Sequence, residues 1–223
     1  MSSIKCEHCG LLNWAEAEEC KRCGATLGSE AADTADPPGE SSGGRSIIRS
    51  ATVVLGAVLI ILLVWYVSLI ATSEPLTIEQ KQTVDRAIDA LEQKGFEKNG
   101  FILRHLVNYR ATDNWWNRWV GHSDAYAATN FPFEVVTLYP DFFRFPVDDV
   151  ERAAILLHES YHLMGQGEPK AFAGVWQNKK KLGWTEDIYG KTRVWKNVSE
   201  LTRHYAPQFF RCGPDNQSDC TEE

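Results

Sequence analysis

Hydrophobic positions divide the 223-residue chain into three regimes. Residues 1–49 show little periodicity. From Ser50 to Ser73 there are 24 residues without a charge. Beyond them, apolar and charged positions alternate at helix and strand spacings. The middle regime contains the run from Val53 to Val67, and about 20 apolar residues cross a hydrocarbon layer of roughly 30 Å. Nearly every face of it is apolar, unlike a core helix, and it starts too far from Met1 for a signal sequence. The pattern predicts one transmembrane helix over residues 47–73. Trp65 and Tyr66, toward its C-terminal end, suit an interfacial aromatic belt.

In the third regime, Ile78, Val84, Ala87, Ile88 and Leu91 recur at helical spacing, predicting an amphipathic helix from Leu76 that stops near Gly95. Phe101–Arg110 and Tyr126–Tyr139, rich in β-branched and aromatic residues, read as strands, with Asp113–Gly121 between them. Pro146 and Asp148 open a second helix, with Val150, Ala154, Leu157 and Tyr161 on one face. Pro169 suits the first position of a third, through Ala171, Phe172, Val175, Trp176 and Leu182. The order of elements predicts an α+β domain over residues 74–223. Residues 1–49 are too few for a normal core without a metal or disulfide staple, and residues 1–27 read as a small zinc-binding module. Residues 28–46, rich in Gly, Ser and Pro, form a flexible tether.

Charge changes the reading in two ways. Before residue 50 there are 5 Lys/Arg against 8 Asp/Glu, and after residue 73 there are 18 against 22. Both parts are acidic, which argues against a nucleic-acid partner. Near the span, Arg45 and Arg49 lie on the N-terminal side, while Glu74 comes first on the other and Lys81 is the nearest base. The positive-inside rule puts residues 1–49 in the cytoplasm and 74–223 outside. Cysteine usage agrees: four sit before the span as CxxC pairs, where thiols stay reduced, and Cys212 and Cys220 suit a disulfide in an oxidising exterior. Two free thiols are the alternative if the topology is inverted.

Cys6-Glu7-His8-Cys9 and Cys20-Lys21-Arg22-Cys23 form a four-thiolate pattern for one structural Zn2+, each CxxC supplying two sulfurs to a tetrahedral ion. Gly10 and Gly24 follow each pair, where a tight turn calls for positive φ. The segment resembles the zinc-ribbon modules at the N-termini of many bacterial membrane proteins, and its Cys-Gly-Leu-Leu-Asn13 stretch is similar to the zinc finger of Ran-binding proteins. A structural role, or docking of a cytoplasmic protein partner, is the reading taken.

The candidate chemistry of the outer domain lies in His158-Glu159-Ser160-Tyr161-His162. Histidines four apart share one helix face and can reach one zinc, with Glu159 toward the open side as general base for a zinc-bound water. From the 6 His and 18 Glu of this chain, chance gives such a pattern on the order of 1% of the time. Next, Leu163-Met164-Gly165-Gln166-Gly167-Glu168 holds two glycines that can end the helix and return Glu168 as third ligand to a catalytic Zn2+. A carboxylate stabilising a helix start is the alternative for Glu168.

Residues 158–168 resemble the active-site helix of the zincin metallopeptidases. The spacing to Glu168 equals that of the third metzincin histidine, the residue type is that of gluzincins, and no Met-turn follows. The resemblance implies a zincin-like fold and a zinc peptidase with His158 and His162 on the metal and Glu159 as base. Thr185–Gly190 is similar to the aspzincin segment, which would make Asp187 the third ligand. The expected activity is hydrolysis of a peptide or protein substrate outside the cytoplasm. A tethered scaffold with a structural or vestigial zinc site, or a hydrolase of a non-peptide amide, are the alternatives.

Other residues are weighed without a motif around them. His204, Tyr205 or Tyr189 could supply the oxyanion donor, and His105 and His122 are read as structural. The strand Phe133–Tyr139 is either a substrate-binding edge or a core strand. Trp115, Trp116 and Trp119 are a groove wall, a membrane-facing patch or core. Lys179–Lys181 are read as the solvated end of a helix.

Overall fold

A computed structural model describes residues 3–27, 43–121, 125–213 and 218–221, with residues 43–48 as backbone only. Most of the predicted tether, and His122, lie outside the described residues. The chain is mixed α and β, mostly helical, and divides into two units, residues 1–54 and 55–223.

The first unit begins with an antiparallel pair, β1 (Ser3–Lys5) and β2 (Leu12–Trp14), with Ile4 opposite Asn13. Each CxxC turn repeats the same backbone bonds. Gly10 N donates to Cys6 O (2.8 Å) and Gly24 N to Cys20 O (2.9 Å), while Cys6 N and Cys20 N reach Leu11 O and Ala25 O (both 2.8 Å). Both glycines have positive φ, +73° and +70°, a conformation that costs a residue with a Cβ. Helix α1 (Gly43–Ala71) belongs to the first unit up to Val54 and to the second from Leu55, and contains the stretch Arg49–Ala71, which is long and apolar enough to cross a membrane.

In the second unit, α2 (Ile78–Gln93) starts at a capping box, in which Thr77 and Gln80 satisfy each other's backbone N–H groups. Its buried face is Val84, Ala87, Ile88 and Leu91. Then come α3 (Glu97–His105), β3 (Asn108–Arg110), α4 (Trp115–Val120), β4 (Ala127–Asn130) and β5 (Val135–Leu138). The predicted strand Phe101–Arg110 is corrected: only its last three residues are strand. Phe101–His105 are helical because Leu103 faces the core and Arg104 turns out to Asp89 and Glu92 of α2. That placement follows helix periodicity, not alternation.

The strands form one sheet in the order β3-β5-β4, with β3 parallel and β4 antiparallel to β5. The central β5 is buried throughout, as a strand covered on both faces must be. Four helices follow: α5 (Pro140–Arg144), α6 (Asp149–Leu163), α7 (Glu168–Leu182) and, after the single turn α8 (Glu186–Tyr189), α9 (Arg193–Tyr205). Asp148 caps α6 by accepting from Val150 N and Glu151 N, both at 3.0 Å. Helix α6 packs on α2, α3, α7 and β4, so it is the spine of the unit. At Gly174 of α7 the Tyr161 ring of α6 occupies the space that a Cβ would need, and this absence lets the two helices close up. Cys212 and Cys220 are joined by a disulfide.

One surface expectation is overturned. Of Lys179–Lys181, only the last two are solvated. Lys179 is fully buried, pairs with Asp219 at 3.2 Å and lies over the Trp176 and Trp195 rings. Its charge braces the C-terminal tail against α7 and α9.

Candidate metal centres

In the first unit the sulfurs of Cys6, Cys9, Cys20 and Cys23 lie within 4.8 Å of one another and could hold a metal ion. Cys6 and Cys23 approach to 3.7 Å and Cys9 and Cys20 to 3.5 Å. Zinc–sulfur bonds of about 2.3 Å give a tetrahedron with edges of about 3.8 Å, so the four thiols fit that ion. Asn13 is tucked beneath them: its side-chain N–H lies 3.6 Å from Cys20 Sγ, and its oxygen accepts from Lys21 N at 3.2 Å. The Arg22 backbone N–H is the main cause that lowers the Cys20 thiol to about 6, against the opposing effect of burial. Cys23 moves the other way, to about 12. The Ala25 backbone N–H pulls it down, but burial and the three neighbouring thiols outweigh that.

The second cluster is built by a helix, a turn and a helix. His158 and His162 stand one turn apart on α6, whose register is fixed by the buried Ala153, Ala154, Leu156 and Leu157 and by Asn99 donating to Ser160 (2.7 Å). The helix stops where Gly165 adopts φ +74°, with Gly165 N on His162 O (2.9 Å) and Gln166 N on Tyr161 O (3.0 Å). The reversal returns Glu168 as first residue of α7, and Pro169 follows in its first turn, one place later than predicted.

The donor atoms then converge. His158 Nε2 and His162 Nε2 are 3.0 Å apart, and Glu168 lies 3.2 Å from the first and 3.4 Å from the second. Zinc bonds of about 2.0–2.1 Å predict donor separations of about 3.3 Å, so the three residues fit zinc. The His162 Nδ1–H donates to the Gln166 carbonyl at 2.8 Å. Since a carbonyl only accepts, this fixes the tautomer that leaves Nε2 its lone pair for a metal. Two ring nitrogens at 3.0 Å cannot both present lone pairs without a cation between them, either a proton or a metal.

Charge in the cluster follows the same geometry. Hydrogen bonds from His158 and His162 hold the Glu168 carboxyl well below the usual carboxylate range, against burial. Burial alone would lower His162. The Glu168 hydrogen bond, the nearby Glu159 charge and the Gln166 carbonyl outweigh it and push the imidazole up to about 8.

The triangle forms part of one wall of a cleft of about 650 Å³, lined also by Ala127, Ala128, Thr129, Phe172, Leu201 and Tyr205. Glu159 faces the same cleft, nearly buried, and Thr129 of β4 donates its hydroxyl to Glu159 Oε2 at 2.6 Å. The ring of His158 packs on Phe172 (4.4 Å), which stacks on Tyr205 (5.3 Å, 3°).

Of the residues considered as oxyanion donors, Tyr205 alone is brought to the cleft. Tyr189 is buried and donates to Asp148 at 2.7 Å, within the α6 cap, and His204 packs its ring on Tyr205 at 4.7 Å. Asp187 is exposed on α8 and accepts the Thr185 hydroxyl; it is not in the cluster with the histidines. His105 is exposed against Phe101 at 4.9 Å. Phe133–Tyr139 is not an edge, since its strand β5 is the middle of the sheet. The edges are β3 and β4, and it is β4 that lines the cleft.

Thr129, Phe172 and the Gln166 carbonyl have no signal as site residues in the spacing of the sequence. Only the Gly165–Gly167 turn hints that a carbonyl comes back to His162. No protein-family model, curated protein or solved structure matches the chain.

Proposed function

We propose that the chain is a membrane-anchored zinc metallopeptidase. It would have a structural four-cysteine zinc ribbon at residues 1–27, a span at 47–73 and a zincin-like hydrolase domain at 74–223. The observation that carries this reading is the donor triangle of 3.0–3.4 Å edges, with the Glu159 carboxylate in the same cleft. His158, His162 and Glu168 would hold the metal through two neutral imidazoles and one carboxylate. Zinc held there would supply Lewis acidity toward a carbonyl and a water in the cleft.

The chain's own residues do the rest. Glu159 takes the proton of the attacking water and returns it to the leaving amine. Thr129 holds one oxygen of that carboxylate, so the other faces the cleft. The free edge of β4 offers backbone groups on which an extended peptide can pair, and the Tyr205 hydroxyl is the cleft's donor for developing oxyanion charge. Arg45 and Arg49 support a cytoplasmic N-terminus, with the ribbon serving a cytoplasmic protein partner and the hydrolase acting outside.

The test is a peptide-library screen with the full chain in detergent, wild type beside Glu159→Gln. The expected result is zinc-dependent cleavage that Glu159→Gln abolishes while the zinc content stays the same. Normal cleavage by the variant would refute the role of Glu159. Retained zinc with no cleavage of any library member would turn the reading to a tethered scaffold.

A further inference from the structure

The function proposed above leaves one prominent feature unused: the tryptophan-rich helix α4. Its outer face is unusually apolar. Trp115 and Trp119 lie four residues apart, on one face of the helix. Trp119 is 74% exposed, and Val120 and Phe131 beside it are 48% and 59% exposed. No acidic residue interrupts Trp115–Val120. The inner face is fixed by buried amides. Asn114 donates to Asn130 (2.7 Å), Asn130 to Asn117 (2.8 Å) and Asn117 to Thr137 (3.1 Å), so α4 is bolted to β4 and β5.

The same helix is joined to the end of α1. Trp65 meets Trp115 at 6.3 Å, Trp116 at 5.5 Å and Phe133 at 5.7 Å. Trp115 Nε1–H donates to Ser68 Oγ at 2.9 Å, and Trp115 borders a shallow groove with Ile60, Ile61 and Val64. Twenty residues from Ser50 reach Leu69, about 30 Å of helix, so Trp65 stands about 6 Å short of the far edge of the hydrocarbon. A ring packed against Trp65 shares that depth. Tryptophan is the residue that favours it, with an apolar body and one N–H donor.

We infer that α4 is a second membrane contact: Trp115, Trp119 and Val120 sit in the interfacial layer of the bilayer that α1 crosses. The occupant of the apolar face is lipid, because Trp115 borders one groove with Ile60, Ile61 and Val64, exposed apolar side chains of α1. The cleft follows. Gly121 and Phe131 belong to its lining, the first next to Val120 and the second two residues from Phe133 on Trp65. The cleft therefore opens at the membrane surface, and the peptides within its reach are segments lying on, or emerging from, the bilayer. This last step rests on the hydrolase reading; the lipid contact rests only on the span.

The experiment uses the full chain in phosphatidylcholine vesicles carrying lipids brominated either near the headgroup or deep in the acyl chain. Tryptophan emission is read for wild type, Trp119→Phe and Trp115→Phe. Four tryptophans (65, 115, 116 and 119) should be quenchable by the shallow bromines, whereas Trp176, Trp184 and Trp195 are buried in protein, and the eighth, the exposed Trp14, is replaced by Phe in every sample. Each single variant should lose roughly a quarter of the shallow quenching and little of the deep. Zinc content serves as the folding check, and Trp119→Glu, at an exposed position, should lose the same share. Equal quenching of wild type and Trp119→Phe, in chain that floats with vesicles and resists carbonate, would overturn the contact and leave the span intact. Release of the chain by carbonate would overturn the span and the contact together. Neither readout uses peptide cleavage, so both are independent of the proposed activity.

Discussion

Zinc binding at the His158–His162–Glu168 triangle should expel nearly one proton from His162 at pH 7. In the metal-free domain that imidazole is pushed up to about 8, from an ordinary 6.5. Such a group is about nine-tenths protonated at pH 7, and a metal takes only the neutral ring. Apparent zinc affinity should thus rise about ninefold from pH 6 to pH 7 through this group and level off above pH 8. The metal-free domain has the opposite trend. His162 is raised on folding, so its stabilisation is full below 6.5 and is lost as pH rises through about 8. Glu168 is depressed on folding, so its share is present above 4.5 and is lost as pH falls. The pair therefore helps the empty site most between 4.5 and 6.5, while the gain in Tm on adding zinc grows from pH 6 to pH 8. Calorimetric titration of ribbon-loaded full chain in two buffers of different ionisation enthalpy gives the proton count directly. Fewer than about 0.3 protons at pH 7 would refute the argument.

The remaining expectations need no substrate. Elemental analysis should find two zinc ions per chain, one in His162→Ala and one in Cys9→Ser; two in either variant would remove that residue from the ligands. Gly174→Ala drives a methyl into the Tyr161 ring and should cost about 1–3 kcal/mol in a thermal melt, most of it recovered by adding Tyr161→Leu. Lys179→Met leaves the half-buried Asp219 with Thr221 alone and should cost about 1.5–3 kcal/mol in a thermal melt. Asn13→Ala withdraws the support of Cys20 and should weaken the ribbon's zinc about 10- to 100-fold in chelator competition, with the second zinc unmoved.

Local signals made the helices carrying the chemistry legible. Asp148 as cap, apolar spacing through Tyr161 and the Gly165 stop are all visible within twenty residues, and they place His158, His162 and Glu168 together. The four cysteines are legible for the same reason, since each CxxC turn closes on itself. Long-range choices were not. Phe101–His105 has strand-like side chains, yet Leu103 and Arg104 find their partners as a helix on α2. The sheet order decides that β4, not β5, is an edge, and no residue in either strand announces it. Thr129 reaches Glu159 across thirty positions, and Lys179 looks solvated in a run of lysines until Asp219 folds back on it.

The joint between α1 and the sheet has a mechanical consequence. Arg110 donates to the carbonyls of Ile70 and Ser73, Arg118 to that of Thr72, and Ala111 N to that of Glu74, so the helix end carries no slack hinge. Helices meet a thicker or thinner bilayer by changing their tilt. Here a tilt must turn the sheet and the cleft with it, as a handle turns a blade. A change of about 10° would sweep a point 20 Å from the axis through about 3–4 Å, one peptide unit or so. In a hydrolase anchored as proposed, lipid composition would then act as a control on which stretch of a neighbouring chain comes opposite Glu159, without any ligand touching the protein.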